Sequence, residues 1–199
     1  MKTIYFIRHG ILEGKYQNYS KLNSQEFKSL LLKEIEPNID EKETEKVLHQ
    51  LSFIRKCRKI FCSTQKRSIQ TAQIISKLCN NIQFTQIDLM NEVEFDESIL
   101  SQEEAEKGLD FIRMIILSRW FEGKNKETFQ DSIERFNKFL KIAKETKEEE
   151  IVVVTHGWFM RIIQLSAKGK ELNKISFEEL LEEKAPPFLD VVKIQIEPQ

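Results

Sequence analysis

Four consecutive β-branched residues, Ile151-Val152-Val153-Val154, constrain this chain more than any other feature. An apolar run with no polar alternation suits a strand covered on both faces, the environment of a parallel sheet flanked by helices. Shorter apolar runs at residues 3–7, 59–63, 83–88 and 191–196 read the same way and, with 151–155, make five expected strands. Between them the apolar spacing changes to that of helices. Residues 40–58 align Val47, Leu51 and Ile54, and residues 67–79 align Ile69, Ala72, Ile75 and Leu78. Residues 128–147 align Phe129, Ile133, Phe136, Leu140 and Ala143. Helix also fits 24–35 and 101–120, the second opened by the capping-box pair Ser101 and Glu104.

Strand alternating with helix implies an α/β fold, three layers α/β/α around a largely parallel central sheet. A length of 199 residues suits one domain, 1–199, with a helical insertion at about 97–149 where no strand pattern occurs. Lys plus Arg total 31 against 32 for Asp plus Glu, so no bulk field recruits nucleic acid or an anionic membrane. A phosphate site here must be a local cluster of basic side chains. Cys57, Cys62 and Cys79 are odd in number and have no C-x-x-C spacing, which reads as reduced packing residues. The apolar stretch after Met1-Lys2-Thr3 ends at Arg8, too short for a leader or a span, and the expectation is a cytoplasmic protein.

Open parallel sheets bind ligands beyond the carboxyl ends of their strands. Two histidines stand there: the 3–7 strand runs into Arg8-His9-Gly10, and the 151–155 strand into His156-Gly157. In each a glycine follows, which lets the chain turn sharply and approach a ligand closely. Imidazole is a nucleophile at neutral pH because one ring nitrogen is unprotonated, and flanking arginines favour that form while offering forks for phosphoryl oxygens. In Cys62-Ser63-Thr64-Gln65-Lys66-Arg67, Ser63 or Thr64 is positioned to cap the next helix, and Arg67 sits in its first turn, where the partial positive charge suits an anion. Lys66 is read as facing solvent.

With those residues in place, the chain resembles the histidine phosphatase superfamily, the phosphoglycerate-mutase-like group, in its small first branch. The matching segments are 4–10, 61–72, 90–95 and 152–161. The resemblance implies that His9 is transiently phosphorylated, that Arg8, Arg67 and His156, with Gly157 alongside, bind the phosphoryl group, and that an acid after the third strand protonates the leaving oxygen. Met90-Asn91-Glu92-Val93-Glu94-Phe95 matches the family pattern for that acid at Glu92, with Glu94, Asp96 and Glu97 as neighbours in competition. The family's acidic residue, Ser or Thr, and Asn after the Arg-His-Gly triplet are replaced by Ile11, Leu12 and Lys15, leaving Lys15 or Asn18 as candidate substitutes for the Asn. Arg161 is expected to tie down its helix, His49 to lie at the surface or in packing, and Trp120 and Trp158 to belong to the core more than to a pocket mouth.

The expected activity is a metal-independent phosphomonoester hydrolase with no cofactor, acting on a sugar phosphate, another phosphorylated small metabolite or a phosphoprotein. A phosphoglycerate mutase-type transferase, a non-catalytic phosphate-binding module and a metallohydrolase using His9 and His156 as ligands are the alternatives. Substrate and oligomeric state are not legible at this level.

Overall fold

The computed structural model describes residues 1–197, so the last two residues of the expected domain 1–199 lie outside the described part. The five strands are β1 (Lys2–Arg8), β2 (Lys59–Cys62), β3 (Phe84–Gln86), β4 (Glu150–Thr155) and β5 (Val191–Ile196), in sheet order β3-β2-β4-β1-β5. The first four run parallel, and β5 closes the edge antiparallel to β1. The β-branched run lies at the centre. Ile151 and Val153 join one buried cluster with Ile4, Phe6 and Phe61. Val152 and Val154 join the other with Ile7, Ile60 and Cys62. Non-alternating apolarity thus reflects two covered faces, and the architecture is α/β/α.

The helices are α1 (Ser24–Leu31), α2 (Glu41–Leu48), α3 (Lys66–Leu78), α4 (Gln102–Ala105), α5 (Leu109–Phe121), α6 (Phe129–Glu145), α7 (Gly157–Ala167) and α8 (Phe177–Glu182). Four boundaries differ from the periodicity reading. The helix expected over 40–58 stops at Leu48, because a turn lets both Leu48 and Ile54 reach the core and stacks Phe53 on Tyr5 at 4.1 Å. The helix expected over 101–120 is two, broken at Gly108, whose φ of +91° no helix accepts. Its capping box at Ser101 and Glu104 is present. The helix expected over 24–35 ends at Leu31, before Lys33 enters the left-handed region at φ +60°. The strand expected over 83–88 is Phe84–Gln86, since Asp88–Met90 turns into a 3-10 segment that launches the loop carrying Glu92.

In α6 the buried face is Phe129, Ser132, Ile133, Phe136, Phe139 and Ala143, so Phe139 takes the place expected of Leu140. Among the described residues no helix is long and apolar enough to cross a membrane. The three thiols are free and buried, and burial pushes Cys62 up to about 12.

Candidate active site

The carboxyl ends of β1 and β4 are adjacent because the two strands pair in parallel register, Ile7 with Val154 and Arg8 with Thr155. The His9 N–H then donates to the Thr155 carbonyl at 2.9 Å, which sets His9 beside His156, with ring centroids 5.2 Å apart. Arg67 enters from the first turn of α3, and its Nε–H donates to His9 Nε2 at 3.0 Å. On the other ring atom, Nδ1 lies 3.0 Å from the Gly10 carbonyl. A carbonyl can only accept, so Nδ1 carries the proton and Nε2 the lone pair that Arg67 meets. The His9 pKa lies well below the ordinary 6.5, first because the ring is buried and then because Arg67 and Arg8 stand close. The ring is neutral at physiological pH.

Arg8 is held by several contacts. One guanidinium nitrogen donates to the Pro186 carbonyl, another to the Tyr19 hydroxyl at 3.2 Å, and the group lies over the Phe188 ring at 4.3 Å. Phe188 is carried there by the chain entering β5, where the Leu189 N–H donates to the Arg8 carbonyl at 3.1 Å. Arg8 Nε and His156 Nδ1 are buried without a hydrogen-bond partner, a costly state for polar atoms and one a bound anion would relieve. His156 is fully buried, and its Nε2 lies 2.5 Å from Ser63 Oγ. Its pKa too is well below 6.5, through burial first and then Arg67 and His9.

The two glycines have different causes. A Cβ on Gly157 would stand 3.0 Å from Arg8 Cζ, so that glycine makes room for the guanidinium. A Cβ on Gly10 would stand 2.6 Å from Thr44 Oγ1 on α2, so the close approach expected there is to a helix and not to a ligand. The Gly10 N–H is taken by Thr71 Oγ1 at 2.8 Å.

Glu92 lines the same cavity as Arg8, His9, Arg67 and Gly157. Its carboxylate accepts from the Trp158 and Phe159 N–H groups at 3.1 and 3.0 Å, the free donors at the start of α7. The loop is fixed from below by Arg135 on α6, which donates to the Leu89 and Asn91 carbonyls at 2.7 and 3.0 Å. Asn91 Oδ1 in turn accepts from the Thr64 N–H at 2.8 Å. The competing acids point elsewhere. Glu94 pairs with Lys126 at 2.6 Å, which holds its carboxyl below the usual range, and Asp96 accepts the Ser98 N–H at 2.8 Å as a cap.

Several expected placements change. Neither Ser63 nor Thr64 is the N-cap of α3; Gln65 is, because Ser63 serves His156 and Thr64 serves Asn91. Lys15 is ion-paired with Glu26, and Asn18 caps a 3-10 turn through Ser20, so neither lines the cavity in place of the family's Asn. Tyr19 does line it, and the sequence reading missed it, as it missed Ser63 as the partner of His156. Arg161 does tie α7 down: it donates to the Glu183 and Leu180 carbonyls, and burial lowers its pKa to about 10. It also lines the cavity, stacked over Trp158 at 5.0 Å. Trp120 is core, Trp158 is wall, and His49 sits at the surface beside Glu45. Among the described residues, His, Cys, Asp and Glu side chains nowhere gather in the groups of three or more that a metal would need.

Comparison with known proteins points the same way as the geometry. The family model described as "Histidine phosphatase superfamily (branch 1)" matches residues 4–180. No curated protein matches the sequence. Among solved structures, the chain is similar to the α-ribazole phosphatase from Shigella flexneri, with 17% identity, TM-score 0.67, and 98% of this chain and 91% of that one covered. It is similar to a mycobacterial glucosyl-3-phosphoglycerate phosphatase, with 11% identity, TM-score 0.66, and 96% and 89% covered. It is likewise similar to a phosphoserine phosphatase from Entamoeba histolytica solved with 3-phosphoglyceric acid, with 18% identity, TM-score 0.63, and 97% and 90% covered. At such identities the likeness is one of fold.

Proposed function

The chain belongs to branch 1 of the histidine phosphatase superfamily, and we propose that it is a metal-independent phosphomonoester hydrolase working through a phosphohistidine on His9. The observation that carries this reading is the orientation of His9. Its Nδ1–H is spent on the Gly10 carbonyl, and its unprotonated Nε2 faces Arg67. An arriving phosphoryl group takes over the arginine donors and leaves the Nε2 lone pair free to attack phosphorus in line.

In the first step the Nε2–P bond forms and the bond from phosphorus to the alcohol oxygen breaks. Arg8, Arg67 and His156 stabilise the charge on the transferring oxygens, with Arg8 Nε and His156 Nδ1 the buried atoms left over for them. Gly157 keeps the space in which Arg8 lies. Glu92 passes a proton to the departing alcohol oxygen. In the second step water attacks phosphorus, its proton goes to Glu92, the N–P bond breaks, and inorganic phosphate leaves. Arginines and a neutral imidazole supply the charge stabilisation that a metal provides elsewhere.

The test is a panel of phosphate esters assayed with EDTA present and no added metal. The reading expects turnover in which phosphate released equals ester consumed. Activity abolished by EDTA, or phosphoryl transfer to an added alcohol in place of phosphate release, would overturn it.

A further inference from the structure

Beyond the basic corner the cavity opens into a chamber of different chemistry. The whole cavity encloses about 510 Å³, within the ordinary range for a small-molecule site. Its outer walls are Phe27, Leu30 and Leu31 on α1, Met114 and Leu117 on α5, Trp158 on α7 and Leu181 on α8. Three large hydrophobic side chains are strongly exposed among the described residues: Met114 at 43%, Leu181 at 45% and the terminal Met1. Two of the three therefore stand at this one mouth, and they come from different helices. Exposed apolar side chains gathered at a cleft mark a ligand surface, and Met is the side chain that best adapts to varied apolar shapes.

The polar inventory is as telling. Among the described residues the cavity lining contains no Ser, Thr, Asn or Gln. A sugar or polyol hydroxyl needs an acceptor as well as a donor. The lining carboxylates are Glu92, engaged by the N–H groups of α7, and Asp110, exposed at the rim and ion-paired with Arg113 at 3.3 Å. Lys33 and Lys184 only donate. Arg113 also only donates, and its guanidinium lies over the Phe27 ring at 5.6 Å. Tyr19 is the remaining hydroxyl, and it already accepts from Arg8.

We propose that this chamber selects phosphomonoesters of apolar alcohols, arylalkyl or branched alkyl, against those of sugars and polyols; the inference rests on the hydrolase reading above for its role in catalysis. Burying the alcohol's carbon skeleton against these walls favours binding in proportion to the apolar area removed from water, whereas a polyol there finds only Glu92, Asp110 and Tyr19 as side-chain acceptors.

The experiment pairs binding with turnover on the whole protein. 2-Phenylethylphosphonate and 2,3-dihydroxypropylphosphonate, which cannot be hydrolysed, are titrated calorimetrically, and the matching phosphate esters are assayed for kcat/KM. The expected result is an apolar preference of about tenfold or more in both, the scale on which hydrophobic pockets discriminate. Phenylethyl phosphate should win in turnover although its alkoxide is the poorer leaving group. Met114→Ser and Leu181→Ser, exposed positions where the fold tolerates a polar residue, should each reduce the preference about threefold or more. Equal or reversed binding of the two phosphonates, or a preference indifferent to both serine substitutions, overturns the inference and leaves the hydrolase reading standing. Tighter binding of the apolar phosphonate with no ester turned over supports the chamber and overturns the hydrolase reading.

Discussion

The cavity has two halves built on opposite plans. The inner half hangs on strand ends: Arg8 ends β1 and His9 follows it, Arg67 opens the helix after β2, and His156, fully buried behind the lining, follows β4. None of these four side chains is more than 7% exposed, and each is held by a neighbouring polar group. The outer half hangs on α1, α5 and α8, helices far apart in sequence whose exposed Met114 and Leu181 have no such anchorage. Buried, charged side chains thus sit beside a more exposed and largely apolar wall. On the proposed reading, reaction type belongs to one half and substrate choice to the other, and each half should answer differently to substitution.

The largest effect is expected at His9, the proposed nucleophile. His9→Ala should abolish turnover of every ester, apolar or polar, with the fold retained, as checked by circular dichroism and the thermal midpoint. A loss that depended on the alcohol would break the separation between the halves. Next comes Glu92. Glu92→Gln keeps size but not the transferable proton, so alkyl esters should lose about 10² to 10⁴ in single-turnover phosphorylation. p-Nitrophenyl phosphate, whose leaving group departs unprotonated, should lose far less. Glu94→Gln, paired with Lys126 at the surface, should change neither by more than about twofold, a bound drawn from the small effects of surface substitutions. Arg67→Ala follows, at about 10² to 10³ in kcat/KM and by the same factor for apolar and polar alcohols, with Arg67→Lys recovering part.

The smallest effect is on stability. The native state keeps His9 neutral below its ordinary 6.5 through burial, Arg67 and Arg8, while the unfolded chain takes the proton there. Unfolding therefore gains protons as pH falls from 6.5 toward the depressed native value, and stability is lost in that window and level above it. Urea midpoints of wild type and His9→Ala measured at pH 7.5, 6.5 and 5.5 should show wild type losing ground to the variant as pH falls. A gap moving the other way would mean a charged native ring.

The inner half was legible in the sequence for the same reason that it is buried. Strands buried on both faces announce themselves as unbroken apolar runs, and in such a sheet the residue after each run must lie at the ligand-binding edge. That rule alone places Arg8, His9 and His156 there, the next turn places Arg67, and Glu92 rests on the family pattern. Contacts depending on three-dimensional closure were not legible. Ser63 reads as a helix cap until β4 brings His156 to 2.5 Å from it, and Tyr19 reads as loop until Arg8 reaches back to it. Gly10 looks like a ligand-facing glycine, yet what crowds it is Thr44 on α2. The chamber was invisible because its walls come from four helices separated in sequence, α1 giving three residues, α5 two, and α7 and α8 one each, and Gly108 splits what spacing suggests is a single helix.

The central claim is that His9 Nε2 becomes covalently bonded to phosphorus. The most direct measurement is rapid-quench labelling with a ³²P-labelled ester, using wild type, Glu92→Gln and His9→Ala. With labelled p-nitrophenyl phosphate as the ester, label is expected on wild type within one turnover, to accumulate in Glu92→Gln because that carboxylate also activates water, and to be missing from His9→Ala. It should survive base, vanish in acid, and map to the peptide carrying Arg8-His9-Gly10. Label that survives acid and is lost in base, or that persists in His9→Ala, would contradict the account.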